Sequence, residues 1–213
     1  SDNASTDNTV ELIKHHFPQV IVLENEKNGG FGYGHNQVIP LIDSDYHGVI
    51  NPDIIIDSDV ISDLANYLQK HNQIGLITPK ILNPDGSEQY LPKRNPKFSY
   101  VILSKFPGLR KLRREYTRQD EELNQPTEVD FCTGCFFLTP TSVFKEMGGF
   151  DDHFYMYFED GDLSRRVKKS GYEVVFHPME HVYHHWHREN TKNIKGIVRF
   201  LTSMIKYFVR WGW

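Results

Sequence analysis

Groups able to do chemistry are densest between Gly149 and Leu163. There Asp151, Asp152, Glu159, Asp160 and Asp162 are interleaved with Phe154, Tyr155, Tyr157 and Phe158, with no Lys or Arg among them. A solvated acidic loop would not carry that much aromatic surface, and an ordinary core would not carry carboxylates that are costly to bury unpaired. Aromatic walls around acids shape a pocket, desolvate a carboxylate and raise its proton affinity, as proton transfer requires. A second role is compatible with the first: Asp160 to Asp162 can cap a helix over residues 163–169 and favour its dipole. The expectation is a catalytic acid cluster.

Other candidates precede it. Asp53 follows Pro52 at the end of the apolar run 48–50, in an extended turn where its carboxylate can project into a cleft and meet a hard divalent cation. Asn-Pro-Asp is also an ordinary turn. The glycine-rich stretch Asn28-Gly29-Gly30-Phe31-Gly32-Tyr33-Gly34-His35-Asn36 allows close backbone approach to a ligand, yet it is neither a Walker loop nor a dinucleotide fingerprint. Arg94 could pair with a diphosphate or simply be solvated. Five histidines fall between His177 and His187; the segment 180–187 reads equally as a helix with zinc-ligand spacing or as an alternating strand end. Cys132 and Cys135 lie in an apolar run, where buried thiols are expected rather than a redox pair or half a zinc site.

The elements that must position these groups alternate. Helices are expected over residues 10–16, 35–42, 58–68, 141–147 and 163–170, with strands over 19–23, 48–50, 74–82, 129–140 and 172–176. Asn83-Pro84-Asp85-Gly86 marks a hairpin turn. This rhythm is α/β, a class whose sheets bind ligands at the carboxyl ends of strands. Residues 99–118 turn basic and 120–128 acidic, as in a surface insertion. The segment 191–213 places Ile194, Ile197, Val198, Leu201, Met204, Ile205, Phe208 and Trp211 on one helical face, with Lys and Arg opposite and no acid. That is the profile of an interfacial membrane helix, or of a helix docking on its own domain. With 213 residues and net charge −4, the chain suits one domain and gives no reason to expect nucleic-acid binding. No apolar run is long enough to cross a bilayer, and the cysteine usage suits a reducing cytoplasm.

Taken in order, Asp2-Asn3-Ala4-Ser5, the Asn28–Asn36 glycines, Asn51-Pro52-Asp53, Asp85-Gly86, Gly134, Gly148-Gly149-Phe150-Asp151, Phe158-Glu159-Asp160-x-Asp162-Leu163 and His184 strongly resemble glycosyltransferase family 2. Within it the chain looks most like bacterial rhamnosyltransferases of surface-polysaccharide synthesis. The resemblance implies a GT-A fold over residues 1–190, with a mixed, mainly parallel sheet between helices that lacks the family's first strand and helix; 191–213 would be an appended basic amphipathic helix. It further implies an inverting transfer of a sugar, rhamnose for instance, from a nucleotide-diphospho-sugar donor to a saccharide or lipid-linked acceptor, with Mg²⁺ or Mn²⁺. By similarity Asp160 is the base with Glu159 beside it, and Asp53 and His184 face the metal. Asp2, Asn28, Gly30, Phe31, Gly32, Asn36, Asn51 and Arg94 line the donor site, and Gly134, Asp151 and Tyr157 the acceptor site. Asn51 departs from the family's acidic pattern and leaves one charge fewer for the metal. Asp162 is expected to cap its helix. A cytoplasmic enzyme, peripheral on the inner membrane face and able to form homo-oligomers, follows from the same resemblance. The alternatives are a non-catalytic sugar-nucleotide-binding remnant, a nucleotidyltransferase of similar topology and, least favoured, a zinc module.

Overall fold

Strand β3 (Ile74–Leu82) is the axis of the sheet. It runs parallel to β6 (Glu173–His184) and antiparallel to β5 (Phe136–Pro140). Beyond β5 lies β1 (Tyr46–Ile50); beyond β6 lie β2 (Ile54–Ile55) and β4 (Thr127–Glu128), all antiparallel to their neighbours. The computed structural model describes residues 1–103, 106–186 and 194–213. The sheet is mixed, as expected, but its parallel part is the long β3–β6 ladder alone among the named strands; "mainly parallel" is corrected to one parallel pair amid antiparallel ones.

Period-two side-chain alternation divides the core. In β5, Phe136 and Leu138 face one side of the sheet and Phe137 the other. On the first side packs α3 (Val60–Lys70), whose Val60, Leu64 and Leu68 are buried at i, i+4, i+8 spacing. Each contributes about 1.5–3 kcal/mol of transfer free energy. On the second side lie α6 (Thr141–Glu146) and α7 (Glu159–Lys169), through Val143, Phe144, Leu163 and Val167. A third cluster joins α8 (Ile194–Trp211) to the rest through Met204, Tyr207 and Phe208, packed with Val101, Phe154 and Phe158.

Several local expectations change. Residues 19–23 form no strand: Ile21 is 86% exposed, and the neighbourhood is tied by a single parallel bridge, Asp2 to Glu24. Of the expected strand 129–140 only β5 forms; residues 129–135, with the small Cys132 to Cys135, are a loop bearing one bridge from Phe131 to Lys93, and β4 precedes it. The helix foreseen over 35–42 is instead α2 (Phe31–Asn36), starting inside the glycine-rich stretch, followed by a 3₁₀ turn over Ile39–Leu41. Pro178 does not end the strand before it. β6 runs through to His184, and its register against β3 slips between Pro79/Lys80, which accommodates the proline. The histidine-rich segment is therefore a strand up to His184; His187 and residues 191–193 lie outside the described residues. α1 (Thr9–His16) and the hairpin at Asn83–Gly86 form as expected, the latter closed by Gly86 N–H to Asn83 O.

Candidate active site

The acid cluster sits on a strained turn. Tyr157 and Phe158 have φ of 71° and 70°, two consecutive non-glycine residues in the left-handed region, and Phe158 is the residue before α7. Such outliers cost about 1–3 kcal/mol each and persist only where their surroundings hold them. Here Phe158 is buried against Phe200, Tyr207 and Phe208 of α8. The turn delivers Glu159 and Asp160 to the first turn of α7, where the helix dipole favours negative charge.

Asp160 is only partly buried. Its Oδ2 accepts the Gly134 N–H at 3.1 Å and its Oδ1 the Gly161 N–H at 2.9 Å. Burial pushes its pKa up, while those amides and the Lys93 ammonium oppose the rise. Glu159 is driven well above the usual carboxylate range by burial and by the Asp160 charge, and its Oε2 is buried with no hydrogen-bond partner. Two adjacent carboxyl groups thus have different environments, one hydrogen-bonded and partly exposed, the other dry.

Asp162 is a correction. It is fully buried but caps nothing: Arg166 Nε donates to it at 2.8 Å and Trp211 Nε1 at 2.8 Å, so it clamps α8 onto α7. Asp151 serves the same junction, accepting from Arg210 and from the His153 N–H at 2.9 Å. Burial works to raise its pKa, but the His153 and Arg210 contacts outweigh it and hold it low. Tyr157 stands edge-on to Phe200.

Asp53 lies between β1 and β2. Its backbone carbonyl accepts the His185 N–H at 2.9 Å, and its Oδ1 stands 3.3 Å from His184 Nε2. Both atoms are buried, yet neither makes a hydrogen bond. The other side of the His184 ring is fixed, because Nδ1 lies 3.0 Å from Gln89 Oε1 while Gln89 Nε2 donates to His184 O at 2.9 Å. A ring that donates from Nδ1 presents an Nε2 lone pair, the form that binds metal. Two such orphaned atoms about 3 Å apart match two neighbouring ligands of an octahedral cation with bonds near 2.1 Å. These two residues would fit a divalent cation as a pair of ligands; no group of three His, Cys, Asp or Glu that could hold a metal occurs among the described residues.

The acid pair and the 51–53 turn are both tied to the loop before β5, at neighbouring residues. Gly134 N–H contacts Asp160, and the next residue, Cys135, accepts the Asn51 N–H at 2.9 Å through its carbonyl. Both cysteines are buried and free, as expected, and burial pushes the Cys135 thiol to about 12, against its acting as a thiolate.

The glycine-rich stretch is locked to the acid cluster. Gly30, at φ +104°, packs so tightly that a Cβ would come 2.2 Å from Tyr155 O, and Phe31 N–H donates to the same oxygen at 2.9 Å. Asn28 Oδ1 accepts from Gly30 N–H and Tyr155 OH, each at 3.1 Å. Gly32 abuts Phe150. Asn36 is placed as a clamp, bonding both the N–H and O of Phe150 at 2.8 Å. Asp2 accepts from Ser5, which holds its pKa low, and bridges to Glu24. Arg94 turns away from the acids to pair with Glu121 and donate to Glu115 O.

Two residues were missed. Lys93, not Arg94, faces the acid pair: its ammonium lies over Phe131 at 5.3 Å and Tyr116 at 6.0 Å, and it feels the Asp160 charge. Gln89, behind His184, was assigned only to the return strand of the hairpin. A side chain two to three residues past a tight turn, on the strand facing a metal-ligand candidate, was the available signal.

Comparison with solved structures defines the class. The fold matches GalNAc-T7 with UDP, GalNAc and Mn²⁺ (TM-score 0.66, 16% identity, covering 97% of this chain and 39% of that one) and a Pyrobaculum calidifontis mannosyltransferase with GDP-Man and Mn²⁺ (TM-score 0.62, 12% identity, 98% and 52%). The molecule therefore has the GT-A fold. Residues 1–148 match the model of glycosyl transferase family 2, and the chain belongs to that family; residues 114–188 also match the N-terminal domain of galactosyltransferase. Among characterised relatives, it is 30% identical over 203 residues to N-acetylglucosaminyl-diphospho-decaprenol L-rhamnosyltransferase of Mycobacterium tuberculosis, covering 87% of this chain and 65% of that protein. It is 28% identical over 200 residues to rhamnosyltransferase WbbL of Escherichia coli, covering 88% and 74%. The chain thus spans just under two thirds of the length of the M. tuberculosis relative.

Proposed function

We propose that this chain is the catalytic domain of an inverting glycosyltransferase that moves a sugar, rhamnose for instance, from a nucleotide-diphospho-sugar to a saccharide or lipid-linked acceptor. The observation that carries the reading is the loop at Gly134–Cys135, which bonds a partly exposed carboxylate on α7 at one residue and, at the next, Asn51 of the turn that bears Asp53, itself 3.3 Å from His184. Its direction is supported by the relatives' names, a diphospho-decaprenol rhamnosyltransferase and a second rhamnosyltransferase.

In this reading the acceptor hydroxyl oxygen attacks the anomeric carbon as the bond from that carbon to the diphosphate oxygen breaks. The hydroxyl proton passes to Asp160, and the nucleoside diphosphate leaves with the electron pair. A single displacement inverts the anomeric centre. Burial raises the proton affinity of Asp160 and suits it to base work near neutral pH. Gly134 and Gly161 hold its two oxygens in place. Glu159, dry and adjacent, has its proton affinity raised by burial and by the Asp160 charge, which disfavours a second negative charge beside the base. Asp53 and His184 would hold Mg²⁺ or Mn²⁺, which when bound supplies positive charge against the leaving diphosphate; Asn51, uncharged, leaves that duty to them. The Asn28–Gly34 backbone, pinned under Tyr155, forms the nucleotide wall, and Tyr157 the acceptor wall. Pairing of Arg94 with Glu121 leaves Lys93 as the cation best placed for the cleft.

The test is turnover with dTDP-, UDP- and GDP-sugars and a polyprenyl-diphosphate glycan acceptor, with and without Mn²⁺. Metal-dependent release of a nucleoside diphosphate with formation of a glycosidic bond is the expected result. Pyrophosphate release from a nucleoside triphosphate and a sugar phosphate would point instead to a nucleotidyltransferase.

A further inference from the structure

The apolar stripe of α8 is not one surface. At 100° per residue, Ile194, Ile197, Val198, Leu201 and Ile205 occupy a sector about 100° wide, and each is 41–80% exposed. The buried residues Gly196, Ser203, Met204, Tyr207 and Phe208 span the adjoining sector, about 140° wide, and overlap the stripe only at Phe208; they are pressed on the domain. The helix docks on its own fold and still leaves an apolar stripe uncovered.

The borders of that stripe are fixed by contacts. On one side Arg199 lies over the Tyr155 ring at 4.2 Å and Lys206 donates to His153 O, so the 151–158 turn closes that edge. On the other, Trp213 stacks on Phe208 at 5.1 Å and meets Phe98 at 6.1 Å, which brings α4 (Phe98–Val101) alongside. Exposed apolar surface continues there through Phe98, Leu103, Phe106 and Leu109, all 39–58% exposed. α4 in turn packs on α5 (Arg110–Tyr116), where Tyr100 stacks on Tyr116 at 5.2 Å. With Tyr116 turned inward, the helical repeat turns Arg110 and Lys111 to the other side of α5; these two and Arg113 are exposed and make no ion pair among the described residues.

We infer that α8 and residues 98–103 and 106–114 together form one surface that seats the domain on an anionic lipid bilayer. The occupant follows from charge. A chain of net charge −4 gathers four basic residues into the seven of α5 and places no acid in α8. An exposed apolar stripe bordered by unpaired cations is the pattern of an interfacial binder, with each cation near an anionic surface worth about 1 kcal/mol. No helix among the described residues is long and apolar enough to cross a membrane. The inference deepens the lipid-linked acceptor reading, but lipid binding is read without any transferase assay, so either can fail alone.

The test is sedimentation of the purified chain with extruded vesicles of phosphatidylglycerol in phosphatidylcholine, against phosphatidylcholine alone. Anionic vesicles should bind it, high salt should weaken binding, and Arg110→Glu/Lys111→Glu should lower the partition by about tenfold or more. Ile197→Glu/Leu201→Glu should abolish it while the circular dichroism melt stays as in the wild type. If that pair fails to fold, quenching of tryptophan fluorescence by brominated lipid reads insertion next to Trp213 in the unaltered chain. Equal binding to both vesicle types, binding unchanged in the α5 variant, or a dimer in light scattering that Ile197→Glu/Leu201→Glu converts to monomer would each overturn the inference.

Discussion

The Gly134 backbone N–H donates to Asp160 Oδ2 across 3.1 Å, joining the loop before the central strand β5 to the first turn of α7. A Cβ at Gly134 would come within 3.0 Å of the Phe31 ring and 3.5 Å of the Asp160 Cβ. The glycine-rich stretch, through Phe31, and the proposed base Asp160 therefore meet at Gly134.

Gln89 should matter without touching substrate. With Gln89→Leu, His184 Nδ1 loses its partner and the ring is free to change tautomer. Affinity for Mn²⁺ in the presence of a nucleoside diphosphate should fall about 10–100-fold, measured by calorimetry. Gln89→Glu, which keeps the acceptor, should restore most of it.

Gly30→Ala should damage the donor loop. The residue needs φ +104°, and the added Cβ would meet Tyr155 O at 2.2 Å. The cost should be about 1–3 kcal/mol, seen as a lower melting temperature together with weaker nucleotide binding.

Glu159 gives a pH-dependent stability effect of known sign. Its folded pKa lies above its unfolded value, raised first by burial and then by the Asp160 charge. Below the unfolded value both states are protonated and the group costs nothing by ionisation. As pH rises toward and through the folded value, the unfolded state ionises more readily and stability is lost. Glu159→Gln should therefore melt higher than the wild type near pH 7.5, and the gain should vanish near pH 4. A gain independent of pH would show that the carboxyl is not held protonated.

Much of this was legible because it was local. The acid–aromatic stretch, the Asn-Pro-Asp turn, the hairpin at Asp85-Gly86 and the α3 periodicity each depend on neighbours in sequence, and each is where it was expected. What was not legible depended on distant partners. Asp162 looked like a cap because nothing in its own helix announces Trp211 as its hydrogen-bond donor. Arg94 and Lys93 are adjacent, and only the pairing of Lys93 with Phe131 decides which of the two turns inward. Pro178 reads as a strand end, but β6 absorbs it at a register slip against β3. The α8 stripe was drawn as one face, whereas packing on Val101, Phe154 and Phe158 divides it.

Asp160→Asn tests the central claim most directly. The variant keeps the acceptor oxygen for the Gly134 N–H but cannot take a proton. Sugar transfer should fall about a hundredfold to ten-thousandfold, while nucleotide-sugar binding, followed by thermal shift with Mn²⁺, stays within a few-fold of wild type. Transfer at a near-normal rate by a folded, donor-binding Asp160→Asn protein would contradict the assignment of Asp160 as the base.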